Sequence, residues 1–381
     1  MKILVLNAGS SSLKYALYET SPEAAKADTD KLLGEGMVER VTTMTGALKT
    51  AFKDLRPLLQ GEIIAGVGHR VVHGGTFPGA MVIDAAVERA IDELSALAPL
   101  HNPRSLAAYR AAREHEPNAT HVAVFDTAFH QTLPRHAYAY AIPPRYLDDK
   151  KVRRYGFHGI SHRSVALRFA RLQRKPVEAL RIISCHLGNG CSVCAVDRGH
   201  SIDTSMGFTP LEGLVMGARS GDMDASALLY LITHEHEDPA ALLTMLNNES
   251  GMKAISGLSN DMRDILSAAD SGNARARFAV DAFCYRAKKF IGAYMAAMNG
   301  ADALIFTAGI GENSAAIRAG IATGLDQLGI SVDPALNDLK STVARCVGSS
   351  QIPVWVVPTE EQLLIARDTM TCIVAQSAHS G

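Results

Sequence analysis

The sequence lacks the signals of several large protein classes. It has 381 residues, only six cysteines and a formal net charge of −1. No apolar run approaches the roughly 20 residues that a membrane helix needs. Few cysteines in a long chain indicate reduced thiols, and the balanced charge gives no reason to expect nucleic acid or a membrane as a partner. We therefore expect a cytoplasmic protein whose N-terminal run, MKILVLNAGSSS, is a first strand and not a secretory signal.

Motifs for two common kinds of site are also absent or incomplete. No G-x-x-x-x-G-K-[ST] sequence occurs, and no glycine is followed by lysine, which excludes a P-loop nucleotide site. Cys191 and Cys194 form one C-x-x-C in a strand-like run without a second pair, so we interpret them as unrelated strand cysteines and not as a zinc or redox pair. The run from His234 to Glu237 alternates His and Glu, but helical positions two apart do not share a face, which favours a solvated helix end.

The chain does contain an alternation of strand-like and helical runs. Strands are predicted over residues 2–6, 68–73, 121–125, 181–186, 192–196, 303–307 and 353–357. Helices are predicted over residues 85–97, 225–231 and 274–298. This alternation predicts an α/β architecture.

Two hairpin-like segments resemble each other, one in each half of the chain. Residues 3–18 and residues 182–204 both read as strand, small polar turn, strand. Asn7 stands two residues before Gly9, as His186 stands two residues before Gly188. The repeat predicts a duplicated domain. We expect one domain over residues 1–129 with 363–381, and a second over residues 130–362.

Three loops are suited to holding phosphate groups, because each follows a predicted strand and is rich in small residues. Backbone N–H groups in such loops approach an anion closely, and a helix N-terminus adds a favourable dipole. The loops run from Asn7 to Ser12, through His186, Leu187, Gly188, Asn189 and Gly190, and through Gly309, Ile310, Gly311, Glu312, Asn313 and Ser314. Asn313 or Ser314 is the predicted N-cap of the next helix. An ordinary tight turn is the alternative for each loop, but the three together predict a nucleotide site.

The predicted strand over residues 68–73 suggests a pocket for a small acid. Arg70 and Val72 share one face of an extended strand, which sets a guanidinium beside a small apolar surface, the two partners that a short carboxylate such as acetate needs. A structural ion pair for Arg70 and a core position for Val72 are the alternative. Asp126 ends another strand, where ligands of open α/β sheets gather, although it could instead cap a helix. His158 and Arg219 each lie in a glycine-rich loop, which taken alone is weaker evidence for a role in a functional site.

Together these segments resemble the acetate kinase family, which belongs to the superfamily of acetate and sugar kinases, Hsp70 and actin. The resemblance covers nearly the whole chain and rests on the motifs NAGSSSLKY, GHRVVHGG, APLHNP, VFDTAFHQTLP, RRYGFHGISH, CHLGNG, DTSMGFTPLEG, GARSGD, SGLSNDMRD, FTAGIGENS and PTEEQLLIARDT. It implies two similar ribonuclease H-like domains of the actin/Hsp70 type, with an active-site cleft between them. It also implies a homodimer and a reversible transfer of the ATP γ-phosphoryl group to acetate, giving acetyl phosphate and ADP.

The resemblance also implies roles for single residues. Asn7 and Glu361 would place Mg²⁺, for which Mn²⁺ is an alternative, while Arg70 and Arg219 would bind the acid and the transferring phosphoryl group. His158 would stabilise the transition state, and Asp126 would be the essential acidic residue. The acid's methyl group would contact Val72, Leu100, Phe157 and Pro210. ATP would contact Lys14, His186, Leu187, Gly188, Asn189, Gly190, Asp261, Met262, Arg263, Gly309, Ile310, Gly311, Glu312 and Asn313.

Several points stay open at this stage. Glu360 stands where the family usually has Asn, so either Glu360 or Glu361 could be the metal carboxylate. The acceptor carboxylate is already ionised at neutral pH, since carboxyl groups titrate near 4, so Asp126 is expected to orient a metal or an arginine and not to remove a proton. Propionate or another short acid is the alternative acceptor. A non-catalytic nucleotide-binding module of the actin/Hsp70 type is the alternative from another class.

Overall fold

Two six-stranded sheets organise the part of the chain that the structure describes. The computed structural model describes residues 1–9, 12–99 and 101–379. Its contacts divide the chain into unit 1, Met1–Gln131 with Glu360–Gly381, and unit 2, Thr132–Thr359. Each sheet belongs to one unit, and the two units are described separately.

The sheet of unit 1 has the order β3-β2-β1-β4-β6-β5. Its strands are β1 (Lys2–Ala8), β2 (Ser12–Glu19), β3 (Lys31–Glu39), β4 (Ile64–Val71), β5 (Met81–Val82) and β6 (Thr120–Phe125). The first three form an antiparallel meander, β4 runs parallel to β1, β6 runs parallel to β4, and β5 closes the edge antiparallel to β6.

The sheet of unit 2 repeats this plan strand for strand, in the order β9-β8-β7-β10-β12-β11. Its strands are β7 (Arg181–Leu187), β8 (Cys191–Asp197), β9 (His200–Thr204), β10 (Ala303–Thr307), β11 (Arg345–Gly348) and β12 (Val354–Val356). Again a meander of three strands is followed by two parallel strands and an antiparallel edge strand. The predicted α/β class and the predicted duplication into two similar domains are therefore confirmed.

Helices fill the connections between the strands. Unit 1 has α1 (Pro22–Ala27), α2 (Met44–Leu55), α3 (Ala85–Glu93) and α4 (Asn102–His115). Unit 2 has α5 (Arg135–Tyr138), α6 (Pro144–Asp148), α7 (Gly159–Leu172), α8 (Ala225–Thr233), α9 (Pro239–Asn248), α10 (Gly251–Ser256), α11 (Met262–Asp270), α12 (Ala274–Ala297), α13 (Ala308–Asn313), α14 (Ala315–Ala322) and α15 (Pro334–Asp338). The helix predicted over residues 85–97 is shorter in the structure. The α-helix ends at Glu93, and a 3₁₀ turn, Leu94–Ala96, follows it. Within the described ranges, no helix combines the length and the apolar character needed to cross a bilayer.

The last helix, α16 (Glu361–His379), returns to unit 1 and packs across β1, β4 and β6. Close packing there depends on two glycines of β4. A Cβ atom at Gly66 would lie 2.5 Å from Ile373 Cδ1, and one at Gly68 would lie 2.7 Å from Ile365 Cγ2. The opposite face of the sheet is covered by a core that includes Leu4 and Leu6 and residues of α2 and α4. Helix α16 therefore begins directly over the carboxyl end of β4.

Candidate active site

Arg70 and Asp126 form a bidentate ion pair in unit 1. Arg70 lies near the end of β4, two residues beyond Gly68, and therefore on the face that α16 covers. Its Nε donates to Asp126 Oδ1 at 3.0 Å and its Nη2 donates to Asp126 Oδ2 at 2.7 Å. Asp126 directly follows β6, and its N–H donates to the carbonyl oxygen of Val71 at 3.0 Å. The side chain of Asp126 is 2% exposed and that of Arg70 is 21% exposed. The guanidinium is therefore fixed on one edge and accessible on the other.

Asn7 and Glu361 lie on the accessible side of the same guanidinium. Arg70 Nη1 donates to Asn7 Oδ1 at 3.4 Å and lies 4.0 Å from Glu361 Oε2. Burial disfavours the charged guanidinium, but the carboxylates of Asp126 and Glu361 outweigh it and raise the pKa of Arg70 above its usual range. The carboxylate of Glu360 adds to the rise of the Tyr18 pKa, which burial chiefly raises to about 12. The carboxylate of Glu361 therefore lies near the guanidinium of Arg70.

The loop after β4 is held by residues that the sequence analysis did not single out. Asn102 accepts from the N–H of His73 at 3.1 Å and donates to the His73 carbonyl at 2.9 Å. The Thr127 hydroxyl accepts from the N–H of Gly74 at 3.0 Å. Asn102 lies in the motif APLHNP, and Thr127 lies in the motif that contains VFDT. The sequence analysis used these motifs only to predict Leu100 and Asp126, but membership in them could also have pointed to Asn102 and Thr127. They fix the chain segment that follows Arg70.

The other predicted residues of unit 1 have mixed outcomes. Strand β4 ends at Val71, so the predicted strand extended two residues too far, and Val72 lies in a bend beyond it. The prediction that Arg70 and Val72 share a strand face is therefore wrong, although both side chains are half-buried. Lys14 is exposed on β2 directly opposite Asn7. Leu100 lies outside the described residues, as do two serines of the predicted loop from Asn7 to Ser12.

His158 of unit 2 stands at the start of α7 in a left-handed conformation, with φ of 57°. Its Nδ1 is 2.9 Å from Ser192 Oγ, which is also 2.8 Å from His162 Nε2. The ring of His158 stacks on that of His186, with centroids 4.1 Å apart, and His186 Nδ1 is 2.7 Å from Ser161 Oγ. The hydroxyl groups of Ser192 on β8 and Ser161 on α7 therefore fix the orientation of both imidazoles.

Arg219 and His158 approach the same glycine. A Cβ atom at Gly190 would lie 3.0 Å from Arg219 Nη2 and 3.3 Å from His158 Nε2. Arg219 Nη1 donates to the carbonyl oxygen of Pro210 at 2.6 Å. Burial lowers the pKa of Arg219, an effect that Cys191 partly opposes. Two groups that can be cationic thus converge on the second predicted phosphate loop, while Phe157 is buried beside His158.

A cavity of about 600 Å³ lies next to these groups in unit 2. Its size is typical of a small-molecule site. It is lined by Gly188, Asn189, Asn260, Asp261, Met262, Arg263, Leu266, Gly309, Ile310, Asn313 and Ser314. Side-chain and backbone hydrogen bonds from Arg263 lower the pKa of Asp261 to about 2. The structure thus brings parts of two predicted phosphate loops and the predicted ATP contacts Asp261, Met262 and Arg263 to one cavity.

The third predicted loop differs from its prediction. Residues Ala308–Asn313 form the short helix α13, where a glycine turn was predicted, and Ser314 caps α14 by accepting from the N–H of Ile317 at 3.3 Å. Gly311 is buried, and Glu312 turns back onto its own helix. Neither residue lines the cavity, and the same holds for His186, Leu187 and Gly190. Asn260 and Leu266 line it but were not predicted.

The oxygen atoms around Arg70 suit a hard divalent cation. Asn7 offers an amide oxygen and Glu361 offers a carboxylate, and both lie near the Nη1 atom of Arg70. Mg²⁺ prefers such oxygen ligands and is usually held by one or two carboxylates together with substrate phosphates. The donor set of Asn7 and Glu361 therefore fits the metal that the sequence predicts.

Comparisons with known proteins agree over nearly the whole chain. The family model described as the acetokinase family matches residues 2–367. The acetate kinase of Caldicellulosiruptor bescii is 46% identical, over 97% of this chain and 98% of the relative. The structure of Porphyromonas gingivalis acetate kinase has a TM-score of 0.88 and 39% identity, over 98% of this chain and 99% of that one. A propionate kinase structure from Francisella tularensis has a TM-score of 0.89 and 38% identity, over 97% and 99%.

Proposed function

Because the chain belongs to the acetokinase family, we propose that it transfers the γ-phosphoryl group of ATP reversibly to acetate, giving acetyl phosphate and ADP. The observation that carries this proposal is the Arg70–Asp126 pair at the carboxyl ends of two parallel strands. A bidentate guanidinium with one accessible edge is suited to a carboxylate or a phosphoryl group. The cavity of unit 2 supplies a matching place for the nucleotide.

The acceptor needs no base, since acetate is already an anion at neutral pH. Asp126 instead holds the guanidinium of Arg70 by two hydrogen bonds, and Nη1, which donates one N–H to Asn7, keeps its second N–H for the incoming anion. Two further side chains stabilise the charge on the phosphoryl group during its transfer. They are Arg219, which the Pro210 carbonyl holds in place, and His158, which Ser192 holds in place. Such positioning and electrostatic stabilisation dominate phosphoryl transfer.

We propose that Asn7 and Glu361 hold Mg²⁺, with Mn²⁺ as the alternative, because both ions take oxygen ligands. When bound, the metal would neutralise the negative charges of the ATP phosphates, which otherwise repel the acid. Glu361 is preferred to Glu360 because its carboxylate faces Arg70. Substituting Glu361→Gln should weaken the response of the rate to added Mg²⁺, whereas Glu360→Gln should leave it unchanged.

The test of the activity is a hydroxamate assay for acyl phosphate, run with acetate, propionate and butyrate. Acetate should be the best acceptor, and some use of propionate is expected because one methylene is worth only about 1–3 kcal/mol of discrimination. Propionate is the second candidate, favoured by the similarity to the Francisella tularensis propionate kinase structure. A chain that binds ADP but forms no acyl phosphate with any of the three acids would instead be a nucleotide-binding module.

Inversion at phosphorus is expected for direct in-line transfer, and retention would contradict it.

We also propose a homodimer, in keeping with the family resemblance. Helix α8, with the sequence ASALLYLIT, is almost entirely apolar, yet none of its residues is buried in the chain. Leu229 is 60% exposed and Tyr230 is 52% exposed, and Leu243 of α9 is 57% exposed. An apolar helix surface of this kind is typical of a subunit interface.

A further inference from the structure

Helix α13 lines the nucleotide cavity, but a buried side chain outside the cavity fixes its C-terminal end. Arg318 of α14 donates from Nη1 to the carbonyl oxygens of Gly311, at 2.8 Å, and of Glu312, at 3.0 Å. Its Nε donates to Asn337 Oδ1 at 2.7 Å and its Nη2 to the Asn337 carbonyl at 2.6 Å. Arg318 therefore joins the end of α13 to α15.

Arg318 is an unusual residue to find inside a protein. It is 1% exposed, and in the described ranges its hydrogen-bond partners are carbonyl and amide oxygens, with no carboxylate at ion-pair distance. Burial, with the nearby cation of Arg345, lowers its pKa to about 10, so it remains charged at neutral pH. Buried arginines are ordinarily paired with acids, because an unpaired buried charge is costly. Arg318 lies at the carbonyl end of α13, where a cation is favoured, which indicates that it stabilises this helix.

The N-terminal end of α13 is fixed by Glu312 of the same helix. Its Oε1 accepts from the N–H of Ala308 at 2.9 Å and from the Thr307 hydroxyl at 3.3 Å. The same oxygen accepts from the N–H of Thr359 at 3.2 Å. Ala308 has φ of 63°, a left-handed conformation that residues with a side chain seldom adopt without support from their surroundings. Glu312 supplies that support.

We propose that Arg318 and Glu312 are positioning residues for the nucleotide. They hold the two ends of α13, so that Gly309, Ile310 and Asn313 between them keep their places in the cavity wall. Neither side chain contacts the nucleotide. The inference rests on the proposed nucleotide site, and it assigns Glu312 to the support of that site and not to ligand contact.

The proposal separates the two substrates of the reaction. Loosening α13 disturbs the cavity of unit 2 and leaves the Arg70–Asp126 pair of unit 1 unchanged. We therefore expect Arg318→Met to raise the Kd for ADP and the KM for ATP on the order of tenfold, about 1.4 kcal/mol, with the KM for acetate unchanged. Arg318→Lys should restore little, because one ammonium cannot reproduce the fork of the guanidinium.

A second pair of variants tests the other end of the helix. Glu312→Gln keeps an oxygen that accepts from Ala308 and Thr359, so its Kd for ADP should stay within twofold of wild type. Glu312→Ala removes that acceptor and should raise the Kd by the same order as Arg318→Met. Glu312→Met keeps most of the side-chain volume without the acceptor, so it should raise the Kd as Glu312→Ala does, whereas simple loss of packing would leave Glu312→Met near wild type.

Arg181 provides a matched control in unit 2. It donates from Nη1 to the carbonyls of Met298, at 3.2 Å, and Asn299, at 2.9 Å, at the end of α12. It is not among the residues that line the cavity. Arg181→Met should therefore lower the melting temperature without changing the Kd for ADP.

Isothermal titration of the full chain with ADP decides the question. A folded Arg318→Met variant that binds ADP within twofold of wild type would overturn the proposal, and so would an equal loss in Arg181→Met. If Arg318→Met does not fold, equal Kd values for Glu312→Gln and Glu312→Ala would overturn it instead. ADP binding needs no acid acceptor. A wild type that binds ADP but makes no acetyl phosphate would therefore contradict the proposed function and leave this inference standing.

Discussion

At the scale of single residues, Asp126 explains why one arginine of unit 1 is suited to chemistry. Its two oxygens accept from Nε and Nη2 of Arg70, so the planar guanidinium cannot rotate. Preorganised donors of this kind stabilise a developing charge without having to reorient during the reaction. The same two hydrogen bonds explain why a buried carboxylate at this position need not act as a base.

Replacing Arg70 by alanine should lower turnover on the order of 10²-fold or more while the chain still folds, and Arg219→Ala should do the same. Arg70→Lys should recover little of the loss, because an ammonium cannot donate to both oxygens of Asp126 in a planar fork. The measurement is kcat for acetyl phosphate formation, with circular dichroism to establish folding. Arg110→Ala is the control, since Arg110 makes an exposed 2.7 Å pair with Glu88 on the surface of unit 1. Near-normal turnover in Arg70→Ala would remove Arg70 from the site.

At the scale of elements, the contact between α16 and β4 brings Glu361 to Arg70. The helix can lie this close because Gly66 and Gly68 present no side chain to it. Glu361 is the first residue of the helix, so any shift of α16 moves the carboxylate relative to the guanidinium. The packing of one helix is therefore linked to the geometry of the proposed metal site.

Substituting Gly68→Ala should destabilise unit 1 by about 1–3 kcal/mol and lower the affinity of the enzyme for Mg²⁺, because the new methyl group collides with Ile365 and Thr369. Urea unfolding and the Mg²⁺ dependence of the rate measure the two effects. Gly79→Ala is the matched control in the same unit, since a Cβ atom there has no neighbour within 4 Å. Equal stability of the two variants would mean that α16 adjusts freely to the added methyl group.

Sequence reasoning predicted the elements that depend on local pattern and missed those that depend on distant contacts. The two hairpins were found because alternating apolar residues and a glycine turn mark both strands. Helix α13 was missed because its glycines disfavour a helix, and because residues distant in sequence, Arg318 and Thr359, hydrogen-bond to it. The end of β4 was misplaced because Asn102 and Thr127 draw residues 73 and 74 away from the sheet. Such tertiary hydrogen bonds leave no periodic signal.

At the scale of the whole molecule, the exposed apolar surface of α8 bears on assembly. Leu229→Glu should convert the proposed dimer to a monomer of 40.7 kDa, because the charge would be buried without a partner at the interface. Light scattering after size exclusion gives the mass. Leu172→Glu is the control, since Leu172 is a similarly exposed leucine, 46%, at the end of α7. A wild-type mass of one chain would contradict the dimer, and an equal loss in both variants would remove α8 as its site.

The buried histidines of unit 1 connect its stability to pH. His69 Nε2 is 3.0 Å from His121 Nδ1, and the ring of Tyr109 meets both imidazoles edge-on. Burial, and then the neighbouring His121, lower the pKa of His69 well below its usual value. Burial also lowers the pKa of His121, and that of His73 to about 4. In the folded chain these rings therefore stay neutral as the pH falls below the value near 6.5 at which an unfolded histidine takes up its proton.

This difference predicts that unit 1 loses stability in acid. Since only the unfolded state gains protons below about pH 6.5, the stabilisation is complete above that pH and falls progressively toward pH 4. Between pH 7.5 and pH 5, His73 alone should lower the free energy of unfolding by about 2 kcal/mol, and His69 and His121 should lower it further. Hydrogen exchange in β4 and β6, corrected for the intrinsic rate, measures this local loss. His69→Phe keeps an aromatic ring against Tyr109 but removes one titrating group, so it should lose less stability in acid than the wild type. An unchanged pH dependence in His69→Phe would mean that the His69–His121 pair is protonated without cost in the folded chain.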